Sequence, residues 1–116
     1  MPELAELRLT ADYINKAVSP KRHKGLKFVN VVKNPEHKGS DIRFPKGGFT
    51  ISAKSRGKEL ILIMKGRNQL YHLRMTMGMS GSFKLTNTGQ EPKHAHLMFY
   101  ATDGVTLSYV DVRRFT

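Results

Sequence analysis

The 116-residue sequence contains no cysteine and no tryptophan. Without cysteine the chain has no disulfide, no zinc ribbon and no thiol nucleophile. Acids are scarce. Nine Asp and Glu stand against twenty Lys and Arg, which gives a net charge of +11. No apolar run approaches the roughly 18 residues of a membrane-spanning helix; ILILIM is closed in by Lys58-Glu59 and Lys65. The opening MPELAEL has two acids and no basic stretch, so it does not read as a secretion signal. Repeats, low-complexity tracts and interdomain linkers are missing as well, and residues 1–116 are expected to form one domain.

What is present reads as a globular domain, with 39% hydrophobic and 25% charged residues. A folded domain this basic is drawn to phosphates through counterion release, which puts nucleic acid ahead of a merely solvated surface. The cysteine-free composition fits an intracellular location alongside DNA.

The first eighteen residues predict a helix. Leu4, Leu7, Ala11, Ile14 and Val18 recur at spacings of three and four, and Ser19-Pro20 ends the pattern. After Pro20 the periodicity becomes that of strands, at 26–33, 49–55, 59–65, 69–77, 81–85, 96–102 and 105–112. Plausible turns fall at Gly47-Gly48, Arg56-Gly57, Gly66-Arg67-Asn68, Asn87-Thr88-Gly89 and Asp103-Gly104. Residues 34–48 are polar and rich in Pro and Gly, and read mostly as loop. The expected fold is mainly β: an N-terminal helix followed by an antiparallel two-layer β-sandwich of seven to eight strands.

Pro2 carries the first chemical signal. Removal of Met1 would expose a secondary amine, which attacks an aldehyde carbon to give an iminium and so an electron sink. Proline also simply suits the first turn of a helix, and taken alone that is the stronger reading. Glu3 and Glu6 lie three apart, on one side of such a helix, where a carboxyl could serve as general acid or base. Compensation of the helix dipole explains the same two residues without catalysis.

Five motifs weigh against those plain readings. MPELAEL, SAKSRGKEL (52–60), GMSGSF (78–83), KHAHLMFY (93–100) and YVDVRRF (109–115) occur in that order. Together they resemble the catalytic amino-terminal domain of the formamidopyrimidine-DNA glycosylase/endonuclease VIII family, most closely its endonuclease VIII-like branch. The resemblance covers essentially the whole chain. It implies a base-excision-repair glycosylase/AP lyase that removes oxidised bases, cleaves abasic sites by β,δ-elimination and uses no metal or other cofactor. Pro2 would be the Schiff-base nucleophile toward C1′, Glu3 the acid that assists ring opening, and Glu6 a support of the active-site turn. Lys58 would hold the phosphate beside the lesion and assist elimination. Met79, Arg113 and Phe115 would fill the space left when the nucleotide flips out, by apolar wedging and by hydrogen bonding to the orphaned base.

His72, Arg114 and His96 are candidate phosphate contacts, and KRHK (21–24) is another basic cluster that could be plain solvated loop. His94 and His96 have the spacing of two metal ligands on one strand face, but no further clustered ligand completes a site. Tyr71, Phe99, Tyr100 and Tyr109 could stack bases, although their alternation favours core.

The sequence departs from the family pattern at several places. Leu4-Ala5 replaces a common Gly-Pro, Thr76 stands where many members have a phosphate-binding His, and Thr116 follows Phe115 where Gly is usual. The helix–two-turns–helix and finger regions of the family are not among these 116 residues. The resemblance implies damaged duplex DNA and abasic-site DNA as partners, no membrane, and a monomer. A non-catalytic DNA-binding β domain of the same descent, and a basic RNA-binding domain owing everything to charge, are the rival readings.

Overall fold

A computed structural model describes residues 4–18, 27–33, 42–76, 81–93 and 95–110. Helix α1 runs over Leu4–Ala17, and the strands are β1 Phe28–Lys33, β2 Thr50–Arg56, β3 Glu59–Lys65, β4 Leu70–Met75, β5 Ser82–Asn87, β6 Ala95–Ala101 and β7 Val105–Val110. Seven strands among the described residues match the seven expected segments; residues 26, 77, 111 and 112 of those segments lie outside the described residues, and the other ends differ by two residues at most. No described helix is long and apolar enough to cross a membrane.

The strands form two antiparallel sheets, one ordered β1-β6-β7-β5 and the other β2-β3-β4. Alternation dictates which side of each sheet is buried. Ile51 and Ala53 on β2 and Leu60, Leu62 and Met64 on β3 face inward. Across the core they meet Phe83, Leu97, Phe99, Leu107 and Tyr109 of the other sheet. Phe28 and Phe49 tie the sheets at a corner through a pair of backbone hydrogen bonds of 2.7 and 2.8 Å, their rings 6.0 Å apart. Phe99 and Tyr109 are fully buried and Tyr71 packs against the core, as alternation predicts. Tyr100 is half-buried on the opposite face of its strand.

Helix α1 buries Ala11, Ile14 and Ala17, with Val18 just beyond its end. Leu4 and Leu7, the other members of the expected stripe, have side chains outside the description. The helix lies along β2, an edge strand, and one residue makes the join. The Asn15 side-chain amide donates to the Ala53 carbonyl at 2.8 Å, and its Oδ1 accepts from the Ala53 N–H at 2.7 Å. A single side chain thus pairs both backbone groups that this residue of the edge would otherwise leave open.

The link from β5 to β6 is pinned by Glu91, whose carboxylate accepts from the Gly89 N–H at 2.9 Å and from the Thr106 hydroxyl at 3.3 Å. Hydrogen bonds from its own backbone N–H and that of Gly89 hold the Glu91 carboxyl below the ordinary glutamate value. Burial raises the Tyr100 hydroxyl above its ordinary value, and the nearby Glu91 charge adds to the shift.

Candidate active site at one end of the sandwich

Lys58 is the best-placed of the candidate residues. In the register of β2 and β3, Arg56 pairs with Glu59, so Gly57 and Lys58 form a two-residue hairpin loop. Gly57 takes φ +59°, the left-handed conformation that the first position of such tight hairpins demands. The strands therefore hold the lysine at the tip, where it is exposed.

The other elements can be placed against that tip. Leu60 pairs with Met75 on β4, so β4 ends beside the start of β3 and the Lys58 turn. In the other sheet Ser82 of β5 pairs with Val110 of β7, and Ala95 of β6 pairs with Val110 too. The beginnings of β5 and β6 and the end of β7 thus share one end of that sheet. Thr76 and Gly81 bracket residues 77–80 and are five chain steps apart, which bounds their separation at about 18 Å. This tether brings the Lys58 end of one sheet to the Ser82–Val110 end of the other. Helix α1 runs antiparallel to β2: Asn15 meets Ala53, while Arg8, Ala11 and Asp12 flank a cleft with Ala53, Lys54 and Ser55. Its N-terminal end is therefore directed toward the same tip.

Pro2, Glu3, Met79, Arg113, Arg114 and Phe115 lie outside the described residues, as do His94 and residues 21–24. Glu6 falls on α1, with its side chain outside the description. What the fold contributes is the position of their flanking anchors: the start of α1, Thr76 and Gly81 around Met79, and Val110 ahead of Arg113. All of these gather at the Lys58 end.

The two described histidines differ. His96 is half-buried at the start of β6, at this end, with its ring 6.3 Å from that of Tyr109. His72 pairs with Ile63 and is exposed on the outer face of β4. It lies three residues before Met75, about 10 Å back along the strand. Thr76, beyond Met75, is the residue next to the tip.

One feature at this end escapes sequence reasoning. Gly81 has no left-handed φ to explain it; a Cβ there would collide with the Tyr109 hydroxyl and come within 2.9 Å of its ring. Tyr109 is fully buried and packs at 5.2 Å from the Phe83 ring, so it has no room to yield. GMSGSF signals a tight loop from its glycines, but nothing in the string says that the second glycine faces a buried tyrosine 28 positions on.

The fold and this end define a class: a helix-flanked, two-sheet β-sandwich with the start of α1, the Lys58 turn, the end of β4, the start of β5 and the end of β7 toward one end. Comparison with known proteins narrows it. The family model for the formamidopyrimidine-DNA glycosylase N-terminal domain matches residues 1–116, and the chain belongs to that family. It is 38% identical to human endonuclease 8-like 1, over 99% of this chain and 31% of that protein. It is 33% identical to the formamidopyrimidine-DNA glycosylase of Bacillus subtilis, over 99% of this chain and 41% of that protein. A crystal structure of a viral DNA glycosylase superposes with a TM-score of 0.66 at 18% identity, over 95% of this chain and 38% of the other, a likeness of fold. The chain spans less than half the length of these relatives.

Proposed function

We propose that this chain is the catalytic domain of a bifunctional DNA glycosylase/AP lyase acting on oxidised bases and abasic sites in duplex DNA, with Pro2 as nucleophile. The observation that carries the reading is the family match over residues 1–116, which spans every candidate residue in one frame. The position of the Lys58 tip beside the anchors of the other candidates supports it.

In the proposed reaction the Pro2 nitrogen, freed by removal of Met1, attacks C1′ of the damaged nucleotide. The new N–C1′ bond forms as the bond from C1′ to the base breaks, and the base leaves with a proton. Glu3 then protonates the ring oxygen as the C1′–O bond opens, giving an iminium. Loss of a C2′ proton turns the iminium into an enamine. As the nitrogen lone pair re-forms the iminium, the C1′=C2′ pair moves into a C2′=C3′ bond and the C3′–O bond breaks, expelling the 3′ phosphate. Loss of the C4′ proton and cleavage of the C5′–O bond then release the 5′ phosphate. Lys58 neutralises the phosphate at the lesion, while Met79, Arg113 and Phe115 occupy the gap opposite the orphaned base. The chain works as a monomer, inside the cell and on DNA.

Borohydride reduction on abasic-site DNA tests this directly, since it fixes the iminium as a stable amine. The processed chain is expected to form a covalent adduct, Pro2→Gly far less, and a chain retaining Met1 none. Equal trapping by a form without a free Pro2 amine would overturn the nucleophile. Salt-sensitive DNA binding with no adduct under any condition would assign the chain to a non-catalytic DNA-binding domain instead.

A further inference from the structure

The two sheets present different outer faces. On β2-β3-β4 the register sets Lys54, Ile61 and Arg74 in one row, Ser52, Ile63 and His72 in the next, then Thr50, Lys65 and Leu70, with Arg56 beside Glu59 at the tip. Lys54, Arg56, Lys65, His72 and Arg74 are all exposed. Among the described residues Glu59 is the one carboxylate on this face. Asp12 stands at its margin, on the helix beside Arg8 and Lys54. On the other sheet the face away from the core holds Asn30, Val32, Met98, Tyr100, Thr106, Ser108, Val110, Ser82 and Thr86, with Lys84 the single base among its described strand residues. Thr106 and Ser108 there are fully buried, and the Glu91 carboxylate accepts from the Thr106 hydroxyl, so this face offers no comparable basic surface.

We propose that the outer face of β2, β3 and β4 is a lesion-independent binding surface for the phosphate backbone of duplex DNA. The proposal rests on the reading of this protein as one that works on DNA. Same-face residues along a strand lie about 6.7 Å apart and β2 is about 9.6 Å from β4, so the basic patch is roughly 20 Å long and 10 Å wide. A duplex carries one charge per about 1.7 Å of axis, so a patch of that length meets several phosphates at once.

The remaining chemistry of the face selects this partner over others. Among the described residues of these strands His72 is the only ring on the face, so they offer no platform on which successive bases of a single strand would stack. Leu70 is the only large exposed apolar side chain among the face's described residues, at the end away from the tip, too little to anchor in a bilayer. Ile61, between Lys54 and Arg74, is only 3% exposed, and its register neighbours are long basic chains whose stems can lie over it while their heads reach solvent. The face also runs without a break to the Lys58 tip, so a duplex held here is kept close to the candidate active site.

The test uses the full chain and an undamaged duplex oligonucleotide, with affinity followed across salt concentrations. Lys54→Gln, Lys65→Gln and Arg74→Gln together should lower the salt slope by about 2 to 3 and weaken binding roughly tenfold or more at low salt. Lys16→Gln, Lys84→Gln and Lys93→Gln together remove the same charge elsewhere and should leave the slope nearly unchanged. Equal losses in the two sets would show that net charge alone matters, and no loss in the first set would show that the face does not bind; either overturns the proposal. So would a first-set loss confined to single-stranded DNA or to phosphatidylserine vesicles. Undamaged duplex involves no chemistry, so the result stands whether or not Pro2 forms an adduct.

Discussion

Gly81 shows how much one missing methyl can matter. Its backbone conformation is open to any residue; what excludes a side chain is the fully buried Tyr109. Gly81→Ala is expected to cost about 1 to 3 kcal/mol by overpacking, read from urea denaturation. The cost should shrink in a Tyr109→Leu background, because removing the ring removes the clash. Additive losses would mean that the two positions do not press on each other. Glu91 works through charge. Its folded pKa lies below the ordinary value, so its contribution is present above that value and disappears as pH falls through the folded one. Stability should therefore drop on acidification below the ordinary glutamate value of 4.5, and Glu91→Gln should flatten that part of the profile. An unchanged profile in the variant would remove Glu91 as its source.

At the scale of elements, the join of α1 to β2 is the most economical contact in the fold. Asn15 is the right length to reach the Ala53 N–H and C=O together, replacing a missing strand at one point of an open edge. Asn15→Ala should lower the denaturation midpoint by about 1 to 2 kcal/mol equivalent, and the Ala53 amide should exchange with solvent faster. Retained protection at Ala53 would show that another group seals the edge. The same join orients the helix, so that the Leu4 end of α1 is directed toward the Lys58 hairpin. The hairpin itself depends on Gly57, which lets the chain reverse in two residues and leaves the lysine at the apex.

For the whole molecule, the sandwich converts a net charge into a distribution. Twenty basic residues in a linear string favour no direction. Folded into strands with alternating faces, Lys54, Arg56, Lys65 and Arg74 come to one outer surface, while among the described strand residues the corresponding face of the opposite sheet carries one base, Lys84. The strands and the helix were legible beforehand, because hydrophobic alternation and a three-four stripe are local patterns with their own periods. Lys58 was legible as a turn residue for the same reason. His72 was not, since its distance from the tip depends on how β4 registers against β3.

The sequence by itself determined the element types and the ordered set of motifs that mark the family, because each depends on neighbours within a few residues or on the linear order of the chain. Only the tertiary structure decided that the Lys58 turn, the start of β5, the end of β7 and the direction of α1 meet at one end, that Gly81 must spare Tyr109, and that Asn15 seals β2. Those relations join residues tens of positions apart. They are fixed by sheet order and register, which no local periodicity encodes.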